Sequence, residues 1–253
     1  MKTLTRLLAG VVLISSAMPL LAATLPDSAV HNVVLVHSAL VDGSSWRGVY
    51  ENLTKDGYHV SIVAHTQTAL VDDVAATRRV IEQQDGPVVL VGASYGGSII
   101  TEAGVDPKVK ALVYVAAMQP DVGESLIDLA NRIPAASKNL LPDTHGFLSL
   151  DPKVFRADFC PDVPEAEAQF LSIGQMPLSI AAASAKTTVA AWHDKPAYGV
   201  VATQDRLINP DLERFMYKRG NDTIVEIQAS HGVFLSQPQA VAEVIERAAK
   251  QAR

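Results

Sequence analysis

Ser94 lies in Gly92-Ala93-Ser94-Tyr95-Gly96, a frame of the form G-x-S-x-G. It follows the apolar run Pro87 to Gly92 and opens a helical pattern from Tyr95 to Ala103. That setting suits a sharp strand-to-helix turn, which raises a serine hydroxyl above a sheet. Side chains at 92 and 96 would collide with neighbouring backbone in such a turn, and Gly97 gives further room. A serine hydroxyl is a poor nucleophile near neutral pH. It needs a base to take its proton and an acid to orient that base. For a serine on this kind of turn the chain order is serine, then aspartate or glutamate, then histidine. VVATQDRLINP places Asp205 just past one apolar run, and QASHGVFLSQP places His231 just past the next. Together these residues suit nucleophilic attack on a carbonyl. The oxyanion that develops needs N–H donors held in place. By position these are the backbone N–H groups of Tyr95, directly after the serine, and Ala39, in the loop HSALVDGSSW.

Other residues compete for these roles. His37 ends the first strand-like run but precedes the serine, so it reads as a residue shaping its loop. His31, His59, His65, His145 and His193 lack the late, strand-end position of His231. Asp211 is the fallback acid but falls inside a helical stretch, and Asp121 and Glu124 are weaker candidates. Asp205 could also serve as a plain cap. Leu40, Met118, Trp192 and Phe234 are candidates for an apolar substrate pocket, though such residues are more often plain core, and Ser38 is a candidate to tune that pocket or bond locally.

The elements that must position these residues alternate. Asn32 to His37 is a continuous apolar run, as expected of a strand buried on both faces. Helical spacing follows over Trp46 to Asp56, then a strand over Tyr58 to Ala64, a helix over Leu70 to Gln84 and the strand before Ser94. After the helix at Tyr95 come a strand over Val109 to Ala117 and, much later, one over Pro196 to Thr203. Pro210 to Arg219 reads as a helix, Thr223 to Gln228 as a strand and Pro238 to Ala252 as a closing amphipathic helix. This rhythm predicts an α/β fold: a mostly parallel sheet of about six strands with helices on both faces. Residues 24–117 and 196–253 would form that core. The proline-rich stretch 118–195 breaks the rhythm and reads as an inserted cap, with a helix expected over Ser179 to Ala191.

The first 23 residues read as a signal peptide: Lys2 and Arg6, an apolar run from Leu7 to Ala17, then Pro19 and small residues at Ala22 and Ala23. The run is short for a spanning helix, so a periplasmic or secreted protein without a membrane anchor is expected. Removing that segment would take the formal net charge from −6 to about −8, which argues against nucleic acid or anionic lipid as a partner. Cys160 is the single cysteine, so an internal disulfide and a cysteine zinc site are excluded. No H-E-x-x-H, Walker or G-x-G-x-x-G pattern occurs, so no cofactor or metal is expected.

LVHSALVDGSSW, VVLVGASYGG, VVATQDRLINPDLERFM and SHGVFLSQPQAV resemble the α/β-hydrolase superfamily. The opening VHxAxxxGxxW pattern looks like its small capped group, which contains methyl-salicylate-type esterases, hydroxynitrile lyases and bacterial carboxylesterases. The resemblance implies Ser94 as nucleophile, Asp205 as acid, His231 as base, and Ala39 and Tyr95 as oxyanion-hole donors. It implies an esterase acting on a small-molecule ester. Two positions depart from the group's patterns. Ser38 stands where many members have glycine, and Gly232 stands where the lyases need a lysine. The second departure argues against a lyase. Lactone or amide cleavage, perhydrolysis, or a receptor-like protein with little turnover remain alternatives, and the oligomeric state is left open.

Overall fold

The computed structural model describes residues 30–252, so the expected signal peptide, residues 1–23, lies outside the described residues. The chain runs β1 (Asn32–Val36), α1 (Arg47–Lys55), β2 (His59–Val63), α2 (Leu70–Glu82), β3 (Val88–Ala93), α3 (Gly96–Ala103) and β4 (Val109–Val115). Next come α4 (Leu126–Arg132), β5 (Leu140–Pro142), β6 (Phe147–Leu150), α5 (Pro152–Phe159), α6 (Glu165–Ile173), β7 (Leu178–Ser179) and α7 (Ile180–Ser184). It closes with β8 (Ala197–Ala202), α8 (Pro210–Arg219), β9 (Thr223–Ile227), α9 (Val233–Ser236) and α10 (Pro238–Gln251).

Six strands pair in parallel in the order β2-β1-β3-β4-β8-β9. The apolar runs explain why. In β1, Val33 and Leu35 enter one core, with α1 and α10, while Val34 and Val36 enter the other, with α2, α3 and α8. A strand covered on both faces has no polar side to show, hence the unbroken apolar runs. The chain leaves β1 toward β2 on one side and returns to β3 on the other. The crevice beyond the carboxyl ends of β1 and β3 is therefore the topological switch point, where open parallel sheets place ligands.

The stretch between β4 and β8 differs from the sequence expectation in two ways. Its strands β5, β6 and β7 form a separate antiparallel sheet, unread in a segment so rich in proline. The helix expected over Ser179 to Ala191 is confined to Ile180–Ser184, and Ala185 is already extended at φ −60° and ψ +132°. Beyond it the backbone is claimed by other partners. Thr187 N–H donates to the Glu124 carbonyl at 2.9 Å, and Thr188 N–H to the Glu102 carboxylate at 2.7 Å. Those tertiary bonds outweigh the helix propensity of the alanine-rich stretch. No helix among the described residues is long and apolar enough to cross a membrane.

Candidate active site

Ser94 sits directly after β3 with φ +51°, a left-handed conformation that costs a non-glycine residue about 1–3 kcal/mol. The glycines around it allow the turn. A Cβ at Gly92 would lie 2.5 Å from the Gly96 carbonyl oxygen, and one at Gly96 would lie 2.7 Å from that of Val36. At Gly97 it would lie 2.1 Å from the Met118 carbonyl oxygen. The Ser94 carbonyl accepts from Gly97 N–H at 3.0 Å and Met118 N–H at 3.1 Å, which closes the turn against the chain leaving β4.

Asp205 follows β8, and His231 follows β9. His231 Nδ1–H donates to Asp205 Oδ2 at 2.5 Å, with both residues buried. The other oxygen, Asp205 Oδ1, accepts from Leu207 N–H at 2.7 Å and Ile208 N–H at 2.9 Å. The histidine contact is thus made by Asp205, while the N-cap of α8 is Asn209, so Asp205 steadies its loop rather than capping a helix. Ser94 and His231 line the same cavity, without a direct hydrogen bond between them. Of the rivals, Asp211 is exposed and pairs with Arg214, Asp121 pairs with His193, and Glu124 pairs with Arg219.

The expected oxyanion donors flank the same space. Ala39 and Tyr95 both line the cavity, and neither backbone N–H donates to another described residue. The loop carrying Ala39 is held by residues that the sequence did not single out. Leu40, at φ +68°, donates its N–H to the Met176 carbonyl at 3.0 Å. Buried Gln67 donates its amide to the Val41 carbonyl at 3.2 Å and the Ser38 carbonyl at 3.4 Å. Below the loop, His37 and His65 stack with ring centroids 3.7 Å apart. Burial, aided by His65, lowers the pKa of His37 to about 4, which keeps its ring neutral near neutral pH. Its place is structural, as its position before the serine suggests. Asp73 accepts the Tyr95 hydroxyl at 2.8 Å and the N–H groups of Thr66 and Gln67 at 3.0 and 3.2 Å. Burial pushes this carboxyl up, but the His65 ring 3.7 Å away and the hydrogen bonds from Tyr95 and Gln67 outweigh that and hold it below the usual range. One buried carboxylate thus fixes both the elbow tyrosine and the neighbouring loop. The available signal was Asp73 on the apolar face of α2, beside Val74 and four residues before Thr77.

The cavity holds about 60 Å³, room for a couple of water molecules at about 30 Å³ each. Ser38, Leu40 and Met118 line it as expected, joined by Leu207 and Ile208. The stretch between β4 and β8 contributes Leu126, Leu140, Leu148, Phe159 and Leu178. Trp192 and Phe234 do not line it. Trp192 packs into a core with its indole N–H on the Pro120 carbonyl, and Phe234 packs on Trp46 at 5.1 Å. Their size suits interior filling, and neither lies on a loop at a strand end. A larger surface cavity of about 500 Å³ along α5 and α6 includes none of these site residues.

The chain matches the Alpha/beta hydrolase family over residues 33–244 and belongs to that family. An alpha/beta hydrolase of Aspergillus novofumigatus is 29% identical over 250 residues, spanning 87% of this chain and 97% of that protein. A carbendazim hydrolyzing esterase of a Nocardioides species is 34% identical over 112 residues, which is 39% of this chain and 46% of the esterase. Among solved structures, a pyrethroid hydrolase of Sphingobium faniae superposes with a TM-score of 0.76 at 22% identity, covering 87% of this chain and 97% of that one.

Proposed function

We propose that this chain is an exported serine hydrolase that cleaves carboxylic esters of small, neutral, largely apolar substrates. Asp205 bonded to His231, in a cavity shared with Ser94 on its left-handed turn, carries the reading. His231, oriented by Asp205, takes the Ser94 proton as the oxygen attacks the ester carbonyl. The Ala39 and Tyr95 N–H groups receive the oxyanion. The imidazolium then protonates the departing alcohol. Water, activated by the same imidazole, releases the acid from the acyl-enzyme. The cavity walls support a neutral substrate, because no carboxylate, lysine or arginine among the described residues lines them. The esterase and pyrethroid hydrolase among the similar proteins also favour hydrolysis.

The test is hydrolysis of p-nitrophenyl acetate and butyrate by the protein without residues 1–23 and by its Ser94→Ala variant. Turnover should fall by a factor of about 10³ or more in the variant. A fluorophosphonate probe should label Ser94 in the parent. No turnover and no labelling would leave a binding protein as the better account. Export is checked by the intact mass of protein secreted from an expressing bacterium, which should lack the N-terminal segment. Full-length chain retained in the cytoplasm would count against it.

A further inference from the structure

Near Asp205, and outside the cavity that Ser94 and His231 line, lies a second buried carboxyl. Glu213 is on α8, whose buried positions Leu212, Glu213, Met216 and Tyr217 share one face. It is 0% exposed, and it meets Asp205 at one residue of β8: the Asp205 N–H donates to the Ala202 carbonyl at 3.0 Å, and Glu213 takes the N–H of the same residue. Glu213 Oε2 accepts the Ala202 N–H at 3.0 Å. Its Oε1 is buried and has no donor. Two neighbouring carboxylates, both out of water, do not ionise together.

The donors decide which one holds the proton. Asp205 receives three N–H bonds, from Leu207, Ile208 and His231. Glu213 receives one. We infer that Glu213 is held as the neutral acid and donates its O–H to Asp205, making it a positioning residue for the carboxylate that orients His231. This role rests on the esterase reading above.

The surroundings agree. Burial, then the nearby charge of Asp205, push the Glu213 carboxyl well above the usual range. The groups facing it are Asp205 beyond β8, with His231 behind it, and Tyr217 and Arg214 on its own helix. Arg214 is committed to Glu226 and Asp211, and the Tyr217 hydroxyl donates to the Ala117 carbonyl at 2.9 Å. Neither hydrogen-bonds to Glu213, so the Arg214 charge reaches it only from a distance and lowers it less than burial and Asp205 raise it. An O–H donor beside Asp205 withholds part of its charge from His231 and fixes its rotation.

Two variants and two readouts test this. Glu213→Leu removes the donor and should lower kcat for p-nitrophenyl acetate by about tenfold or more, with KM little changed. Its acid limb in kcat/KM should move to higher pH, because Asp205 then holds the imidazolium more strongly. Glu213→Gln keeps an N–H donor for Asp205 and an acceptor for Ala202. It should recover most of the lost kcat and return the acid limb to the parent position. An ionised Glu213 predicts otherwise: glutamine would remove a charge and move that limb to lower pH, which would overturn the inference. The second readout does not need turnover. The infrared difference between parent and Glu213→Gln, each also carrying Ser94→Ala, should contain the carbonyl stretch of a protonated carboxyl at neutral pH. Its absence refutes the neutral acid even if Glu213→Leu fails to fold. If the stretch is present but the parent turns over no ester, the proton assignment stands, and the positioning role falls with the esterase reading.

Discussion

At the scale of single residues, the site is an arrangement of local costs. Ser94 stores strain at φ +51°, and the bonds from Gly97 and Met118 to its carbonyl keep it there. Replacing it by glycine removes the Cβ that makes this conformation costly. Ser94→Gly should therefore raise the unfolding free energy by about 1 kcal/mol, even though its larger unfolded-state entropy offsets part of the gain. Ser94→Ala keeps the Cβ and should show no such gain, and both variants should be inactive. Urea denaturation of the three proteins measures it. A Ser94→Gly protein no more stable than Ser94→Ala would mean that the turn is not strained. Ser94, Asp205 and His231 could be singled out in the sequence because each ends or follows an apolar run, in an order the chemistry demands. Gln67, Asp73 and Glu213 could not. A polar residue inside an amphipathic segment reads as solvent-facing until its neighbours in space are known. Asp73 and Glu213 each carried one hint: Asp73 lies beside Val74 on the apolar face of α2, and Glu213 lies three and four residues before Met216 and Tyr217, on the face that must be buried.

At the scale of elements, strands buried on both faces are the part a sequence states most plainly. Five of the six strands of the parallel sheet lie within the runs read as strands, β3 runs one residue past its run to Ala93, and α8 spans the expected residues. Between β4 and β8 that clarity fails for a physical reason: the segment is organised by contacts with the core rather than by its own periodicity. Asp158, on α5, takes the Ser137 hydroxyl at 2.7 Å, the Asn139 amide at 2.6 Å and Arg206 Nε at 2.9 Å, the last from the residue after Asp205. Asp162, in the link between α5 and α6, accepts the Ser230 N–H at 2.9 Å and the hydroxyls of Ser230 and Ser236. The Gly232 N–H donates to the Phe159 carbonyl at 2.9 Å. The link thus grips the His231 loop on both sides of the histidine, while the residues around Asp158 hold the loop of Asp205. The same stretch that walls the cavity also holds the loops of Asp205 and His231. None of these bonds follows a local spacing, so no helix or strand template reveals them.

At the scale of the whole molecule, one long-range contact ties folding stability to pH. Asp222, between α8 and β9, accepts the amide of Gln119, just past β4, at 2.8 Å. That joins the turn before an edge strand to the start of the stretch between β4 and β8, 103 residues away. Asp222 Oδ1 and Gln119 Oε1 are both buried without a donor, an arrangement that favours a proton on the carboxyl. The other charge nearby, Arg219, is turned to Glu124 and the Gln119 carbonyl. Burial raises Asp222 from 3.8 to about 7, with the Gln119 bond opposing the rise. The folded carboxyl then keeps its proton where the unfolded chain has lost it. Its contribution is fully present below about pH 4 and is lost as pH rises toward 7. The size is at most about 4 kcal/mol, at roughly 1.4 kcal/mol per unit. Asp222→Asn is neutral at every pH and brings an N–H donor for Gln119. Denaturation midpoints across this range should show the variant close to the parent at the acid end and more stable above pH 7, with a shallower fall between. Background titrations common to both proteins cancel in the difference. Two parallel curves would mean that Asp222 is already ionised in the folded protein. Divergence would show that the fold accepts a charge it cannot solvate in order to close the stretch between β4 and β8 onto the sheet.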